Sequence, residues 1–174
     1  MSEEAAIVEA AALGELAKVA AWQGHVDTRV QHPDLPAGCT LLMAAASTGQ
    51  SEVLELLLAK GASVNLHAAG GVTALMFAAT GRHTLAIKML LAAGASLEAV
   101  ELKKADHVRL DGRRTASRSY TAMQIAEANG DEASLAVLRE HSERLQSAAD
   151  AAAAALLADE EELTRCAASS FGKV

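Results

Sequence analysis

The hydrophobic and polar positions of this chain recur at a constant offset of 33 residues. Gly38–Ala46 aligns with Gly71–Ala79, and Leu56–Val64 aligns with Met89–Leu97. Two separate segments that match at one offset indicate that a whole structural unit is repeated in register. The pattern therefore predicts a solenoid of stacked units.

Each unit has the sequence features of two short helices. A Gly-x-Thr entry leads into an alanine-rich segment, and after a short turn a leucine-rich segment ends at Gly61 or Gly94. Glycine after the last helical turn is typical of a left-handed helix cap. Because the alanines allow close approach between units and the leucines fill the space between layers, neither unit buries its apolar faces alone.

Two further copies flank this central pair. Thr121–Ala126 begins one that continues through Gly130, the counterpart of Gly49, and Ala10–Leu16 begins one whose second helix is shorter, as in a capping repeat. The sequence therefore predicts a repeat domain over residues 1–145, with four repeats at about 4–30, 36–67, 69–100 and 117–142.

The units resemble ankyrin repeats, whose typical pattern is Gly-x-Thr-Pro-Leu-His-x-Ala-Ala, a turn glycine, and Leu-Leu-x-x-Gly-Ala-x-Val-Asn. Gly61–Asn65 reproduces the last part, but Leu41 and Met43 replace the proline and histidine. Arg82 stands at a turn-glycine position, which predicts an altered turn. The resemblance implies an all-α solenoid of helix-turn-helix units with short β-hairpin fingers.

The resemblance also implies a binding role, since ankyrin domains bind partners along the concave face formed by finger tips and first helices. Cys39, at the variable position of the Gly-x-Thr entry, is expected to be an exposed contact residue. The positions carried over are Cys39, Ser47, Thr48, Lys60 and His67 in the second repeat, Val72 and Thr80 in the third, and Tyr120 and Asn129 in the fourth.

An insertion separates the third and fourth repeats. Thr73 and Thr121 lie 48 residues apart instead of 33, which places about fifteen extra residues near 101–118. Asp111 and Gly112 predict a tight hairpin turn there. Two interpretations stay open: a basic finger that grips an acidic partner, or a solvated loop. The insertion holds six of the fifteen Lys and Arg residues, namely Lys103, Lys104, Arg109, Arg113, Arg114 and Arg118.

Ser117 is a candidate phosphorylation site within this insertion. Arg114 lies three residues before it, which resembles the site of a basophilic kinase. A phosphate would add a charge of about -2 and offset much of the local positive charge.

The composition changes after the fourth repeat. Ala148–Ala158 contains eight alanines in eleven residues, which predicts a helix. We expect residues 146–174 to form an alanine-rich helical cap, followed by a disordered tail from Cys166. Leu145, Leu156, Leu157 and Leu163 are expected to form one stripe that packs against the last repeat. A partner-binding helix is the alternative.

Charge and cysteine content restrict the environment. The net charge of -7 disfavours nucleic-acid binding and favours a protein partner. Cys39 and Cys166 form no disulfide framework, the N-terminus is acidic, and no apolar run approaches the roughly 20 residues that span a bilayer. We expect a monomer in the cytoplasm or nucleus that does not bind membranes.

The sequence contains no constellation that indicates catalysis or a cofactor. The six histidines lack metal-ligand spacing, and glycine-rich phosphate loops, nucleophile elbows and paired cysteines do not occur. The leading hypothesis is a scaffold, adaptor or inhibitory subunit, not an enzyme. The alternative, nucleic-acid association through the basic insertion, is opposed by the net charge.

Overall fold

Four pairs of helices follow one another along the chain. The computed structural model describes residues 3–30, 35–97, 109–110, 113–114 and 121–171. The predicted helical solenoid is confirmed over this part of the chain. The helices are α1 Glu3–Leu13, α2 Leu16–Ala21, α3 Leu41–Thr48, α4 Ser51–Ala59, α5 Ala74–Thr80, α6 Thr84–Ala92, α7 Ala122–Ala128 and α8 Glu132–Phe171.

Threonine begins three of the first helices. The hydroxyl oxygens of Thr40 and Thr73 each accept a hydrogen bond from the backbone N–H three residues later, at 3.4 Å in both repeats. Thr121 does the same for Gln124, whose side chain accepts a hydrogen bond from the Thr121 N–H and completes a capping box. Such a cap stabilises a helix by about 1 kcal/mol.

The first helices form the centre of the stack. Helix α3 packs against α1 and α5, and α5 packs against α7. Leu41–Ala46 of α3 and Ala74–Ala79 of α5 are buried at every position, which is unusual for short helices with ordinary solvent-facing sides. Alanine makes this arrangement feasible because its small side chain admits a neighbouring helix on more than one face.

The turn inside the third repeat was predicted to be altered, but its backbone keeps the left-handed conformation of the other turns. Gly49 and Gly130 adopt the left-handed conformation, with φ of +73° and +65°. Arg82 occupies the equivalent position and adopts φ of +59° although it carries a side chain. The residue before Arg82 is Gly81, where the Cβ atom of any other residue would lie 2.4 Å from the His83 ring.

Charged residues lie on the outer faces of the terminal repeats. Glu9 and Lys18 are exposed in repeat one, although the counterpart of Glu9 in repeat two is the fully buried Ala44. In repeat four the exposed Glu127 stands at the position of buried Ala79. Polar residues at stacking positions keep the ends of a repeat array soluble.

The predicted β-hairpin fingers between repeats are reduced to single bridges. Within the described residues, Val30 pairs with Cys39, and His67 pairs with Thr73, each as an isolated antiparallel bridge. A short 3-10 helix, Ala69–Gly71, occupies the tip of the second of these connections. The hairpin strands predicted at these fingers are therefore not confirmed, since the described residues of each finger form one bridge rather than a ladder.

Two short strands form within the insertion. Strand β1, Arg109–Leu110, pairs with β2, Arg113–Arg114, in antiparallel register, with Arg109 opposite Arg114. This pairing agrees with the tight hairpin turn predicted there. The turn residues, 111–112, lie outside the described part of the chain.

Helix α8 is far longer than the other second helices, at 40 residues compared with 9 in α4. Gly61 and Gly94 end the preceding repeats with φ of +83° and +85°, whereas Ser142 takes that position in repeat four. Because the stop residue is missing, the helix continues to Phe171, and the predicted disorder of residues 166–171 was wrong.

The chain divides into two compact units, residues 1–138 and 139–174. The boundary predicted from the sequence lay after residue 145. Leu145 and Leu156 of the second unit are 53% and 68% exposed, so the capping role of this segment stays a prediction. None of the described helices has both the length and the apolar character needed to cross a membrane.

We expect the substitution Leu54→Ala to lower the free energy of unfolding by about 3 kcal/mol, because Leu54 is fully buried in α4 and truncation leaves a cavity. Leu85→Ala is the matched control, since Leu85 is 58% exposed in α6 and should cost less than about 0.5 kcal/mol. Urea unfolding followed by circular dichroism measures both. Equal losses would contradict the packing described above.

Candidate partner-binding surface

Two neighbouring connections expose side chains next to each other. Finger one comprises residues 22–30 and 35–40, and finger two comprises residues 60–73. The backbone N–H of Ala69 donates to the Ala37 carbonyl at 2.8 Å, and the Arg29 guanidinium donates to the His67 carbonyl at 3.3 Å. Arg29 and His67 are both exposed, so one cation and one imidazole lie on a shared surface.

Side chains at the base of each finger bind the next repeat. The Asp27 carboxylate accepts hydrogen bonds from the Ser63 N–H (2.9 Å) and hydroxyl (2.6 Å). In the next repeat the Asn65 side chain accepts from the Ser96 N–H at 2.8 Å and donates to the Gly94 carbonyl at 3.0 Å. These repeated contacts hold adjacent fingers at a fixed spacing.

A second row of polar contacts runs along the opposite ends of the first helices. The Gln50 amide donates to the Ala12 carbonyl at 3.3 Å, and the His83 ring nitrogen Nε2 lies 3.2 Å from the Ser47 carbonyl oxygen. Gln50 and His83 are 33 residues apart and therefore equivalent. Each side chain satisfies a carbonyl at the end of the preceding first helix, which has no partner within that helix.

The fourth repeat makes the same contact with a different residue. Asp131 stands at the position of Gln50 and His83, but a carboxylate cannot donate a hydrogen bond. The amide of Asn129 donates instead to the Ala79 and Thr80 carbonyls, at 3.3 and 3.4 Å, and the Arg82 guanidinium donates to the Asn129 carbonyl. Asn129, predicted as a partner contact, thus joins repeats three and four.

Asp131 takes part in a small polar cluster at the same junction. Its carboxylate accepts from the Ser134 N–H at 3.3 Å, and the fully buried Ser134 hydroxyl lies 3.1 Å from that of Thr84. The hydrogen bond from the Ser134 side chain is the largest of several causes that lower the pKa of Asp131. The nearby Arg82 charge acts in the same direction.

Two of the predicted contact residues are buried. Cys39 is 1% exposed and Val72 is 3% exposed, so the prediction that they meet a partner was wrong. They lie 33 residues apart on extended segments directly before α3 and α5, where both side chains join the core between repeats. Two apolar residues at one repeat position are a signal of burial that the sequence already contained.

Lys60 lies at the base of finger two, where its ammonium group caps a neighbouring helix. Its Nζ atom donates to the carbonyl oxygens of Val19 (3.1 Å), Ala20 (2.9 Å) and Trp22 (3.3 Å) at the end of α2. A cation at a helix C-terminus is favourable because the last carbonyls carry partial negative charge. This position supports α2, and the role of Lys60 at the rim of a groove stays a prediction.

The hydroxyl-bearing candidates lie at the ends of α3 and α5. Thr48 is exposed, whereas Ser47 and Thr80 are half-buried. All three hydroxyls donate to carbonyls of their own helices, Ser47 at 2.8 Å and Thr80 at 2.9 Å. Their role as partner contacts stays a prediction.

The other predicted residues belong to the insertion, except Tyr120, which was assigned to the fourth repeat. Lys103, Lys104, Ser117, Arg118 and Tyr120 lie outside the described residues. For Arg109, Arg113 and Arg114 the structure describes only the backbone of β1 and β2.

Arg29 is a surface residue that the sequence predictions missed. Val26 and Asp27 align with Val64 and Asn65 at an offset of 38, which makes Arg29 the counterpart of His67. Finger one is longer than finger two, which breaks the 33-residue period, and only this second offset reveals the equivalence.

Among residues 3–30, 35–97 and 121–171, no cluster of three or more His, Cys, Asp or Glu side chains could hold a metal ion.

A family model described as ankyrin repeats, in three copies, matches residues 7–101, which is just over half of the chain. The match covers the first three repeats, and the fourth follows it. No curated protein matches the sequence.

We expect Lys60→Met to lower the free energy of unfolding by about 1 kcal/mol, because the carbonyl oxygens at the end of α2 lose a charged donor. Lys88→Met is the matched control: Lys88 is exposed in α6, and no hydrogen bond or ion pair is recorded for it within the described residues. Urea denaturation distinguishes them. A loss at Lys60 no larger than that at Lys88 would contradict the capping role.

We expect the Cys39 thiol to be unreactive in the folded protein. Burial raises its pKa from the ordinary 9.0 to about 11, so the thiol is protonated at pH 8 and inaccessible. In a Cys166→Ser background, Ellman's reagent should modify native Cys39 at least about 100-fold more slowly than the unfolded chain. Fast native labelling would show that Cys39 is accessible.

The raised pKa of Cys39 also predicts that the free energy of unfolding falls as the pH rises from 9 towards 11, because the thiol of the unfolded chain deprotonates first.

Proposed function

We propose that this chain, which belongs to the ankyrin-repeat family, binds a folded protein partner through its fingers and acts as a scaffold, adaptor or inhibitory subunit. Ankyrin repeats are generally protein–protein interaction modules, and the family is typically non-enzymatic. The partner belongs to the cytoplasm or the nucleus.

The hydrogen-bonded but exposed fingers carry this proposal. Arg29 and His67 present their side chains to solvent, while Asp27 and Asn65 fix the finger bases through bonds to the next repeat. A surface that is already ordered before binding loses little conformational entropy when a partner docks. An exposed surface joined by this many cross-repeat bonds is suited to recognition rather than to packing.

The charge of the finger side supports an acidic partner surface. Arg29 is positive, and the sequence of the insertion adds Lys103, Lys104 and four arginines to the chain. The rest of the molecule must be strongly acidic to give a net charge of -7. A local basic region on such a chain selects for acidic partners and accelerates their association.

The first helices contribute little to recognition in this proposal. Cys39 and Val72 are buried, so contact on this side falls to Thr48, with Ser47, Thr80 and Tyr120 as further candidates. The fingers and the insertion therefore supply most of the binding energy, as a few central residues do in many interfaces.

The test compares three variants as baits in the source cell lysate, with nuclease added to remove nucleic acid. In the first, residues 103–118 are replaced by a short Gly-Ser link. The second, Arg29→Glu, reverses one exposed finger charge, and Lys88→Glu makes the same change on α6 as the matched control. We expect the first two to retain at least about tenfold less partner and Lys88→Glu to bind normally, because only the finger charges attract the partner.

The outcomes discriminate between surfaces and partner classes. Equal capture by all variants would contradict the finger surface and direct the search to Ser47, Thr48 and Thr80. Capture that disappears on nuclease treatment would favour nucleic-acid association through the insertion.

A further inference from the structure

The continuation of helix α8 exposes an apolar stripe. Its residues are Leu145, Ala149, Ala152 and Leu156, all of which are solvent-exposed, and the two leucines retain 53% and 68% of their accessible surface. The other long hydrophobic side chains of the repeats lie mostly in the core. Exposed leucines repeated on one side of a helix are typical of an interface rather than of a solvated face.

The spacing of the stripe matches that of a helix–helix seam. Its members are separated by four, three and four residues, which keeps them on one side of an α-helix in the alternation used by coiled coils. This spacing reads the same in both directions, as do the residue types: leucine, alanine, alanine, leucine. A stripe with this symmetry is complementary to its own reversed copy.

We infer that the segment Arg139–Leu156 and its continuation pair with the same segment of a second copy of this chain, in antiparallel orientation. Leu145 then lies opposite Leu156 of the second copy, and Ala149 lies opposite Ala152 of the second copy. Such a contact is isologous, so a two-fold axis between the alanine pairs closes the assembly as a dimer. The two copies bury the stripe that each leaves exposed alone.

The residues beside the stripe permit a close approach. Ala148, Ala153 and Ala155 occupy the flanking positions, so small side chains surround the alanine pairs. Close approach of the two backbones strengthens the van der Waals contact that a short seam provides. Gln146 is the one larger flanking residue between Leu145 and Leu156, and its amide is bonded to Asp150 of its own helix at 3.1 Å.

Charge along the helix decides the orientation. The segment begins with Arg139, Glu140, Glu143 and Arg144, which together carry no net charge, and the sequence continues beyond the stripe into the acidic run Asp159–Glu162. An antiparallel pair sets this neutral beginning of one copy beside the acidic run of the other. A parallel pair would set the two acidic runs together, where like charges repel.

This pairing replaces the monomer expected from the sequence. Residues 139–174 form a compact unit apart from residues 1–138, so the fingers described above are not required for pairing. The inference is therefore independent of the proposed function, and either can fail without the other.

Sedimentation equilibrium of the full chain over micromolar to near-millimolar concentrations tests the pairing. We expect the average mass to rise from 17.9 kDa towards twice that value. The double variant Ala149→Glu and Ala152→Glu should raise the dimer Kd at least about tenfold, because two carboxylates of each copy then meet at the seam. The matched control, Ala151→Glu and Ala154→Glu, adds the same charge on the other side of the helix and should associate like the parent.

Circular dichroism should show unchanged helix content in both variants, because glutamate is a good helix former. A chain that sediments as a monomer at every concentration would overturn the inference. Equal weakening by both pairs of substitutions would overturn the assigned stripe.

Engineered cysteines test the orientation in a Cys166→Ser background. We expect a mixture of Ala149→Cys and Ala152→Cys chains to form a disulfide between different variants faster than either variant alone, because those positions lie opposite each other only in the antiparallel pair. Faster cross-linking of each variant with itself would instead establish a parallel pair and contradict the proposed geometry.

Discussion

The structure depends on how closely the first helices can approach one another. Helices of 7 or 8 residues, such as α5 and α3, are too short to be stable in water by themselves. They persist because alanines, among them Ala45 and Ala78, are completely buried between neighbouring repeats. A larger residue at either position would separate the repeats, and every contact between them depends on that separation.

The constant spacing explains why equivalent polar groups meet in successive repeats. Once the helices are stacked, the side chains of Asp27 and Asn65 each reach the backbone N–H of a serine in the next repeat. Where the residue type changes, the carbonyl at the end of the preceding first helix still accepts a hydrogen bond from another side chain. Asn129 supplies it in repeat four because Asp131 cannot, which indicates that the carbonyl of the preceding helix, rather than any one side chain, is the fixed element.

The sequence predicted those structural features that recur in every repeat. The helix pairs and the left-handed caps at Gly61 and Gly94 follow from residues compared across repeats, whereas the turn at Arg82 was expected to differ and keeps the left-handed conformation of its counterparts. Exposure was harder to predict, because Cys39 was judged by its place in the family pattern rather than by its apolar counterpart. The capping contacts of Lys60 were not predicted because their acceptors lie about forty residues earlier in the chain, where no local pattern connects them.

The length of α8 could not be predicted from the repeated pattern. Its continuation results from an absent glycine, and an absence produces no motif that a search for repeats would find. The repeated pattern thus located the four stacked repeats, whereas the exposed Leu145 and Leu156 lie where the pattern ended.

Recognition and stability are assigned to different atoms at positions 37 and 67 of the fingers, whereas the Arg29 side chain serves both. Finger two accepts its bond from Arg29 through the backbone carbonyl of His67, and finger one accepts its bond from Ala69 through the backbone carbonyl of Ala37. Because backbone atoms accept these bonds, the side chains at positions 37 and 67 can change without breaking them. The fixed bonds hold the surface, and the exposed side chains at positions 37 and 67 remain free to determine what it binds.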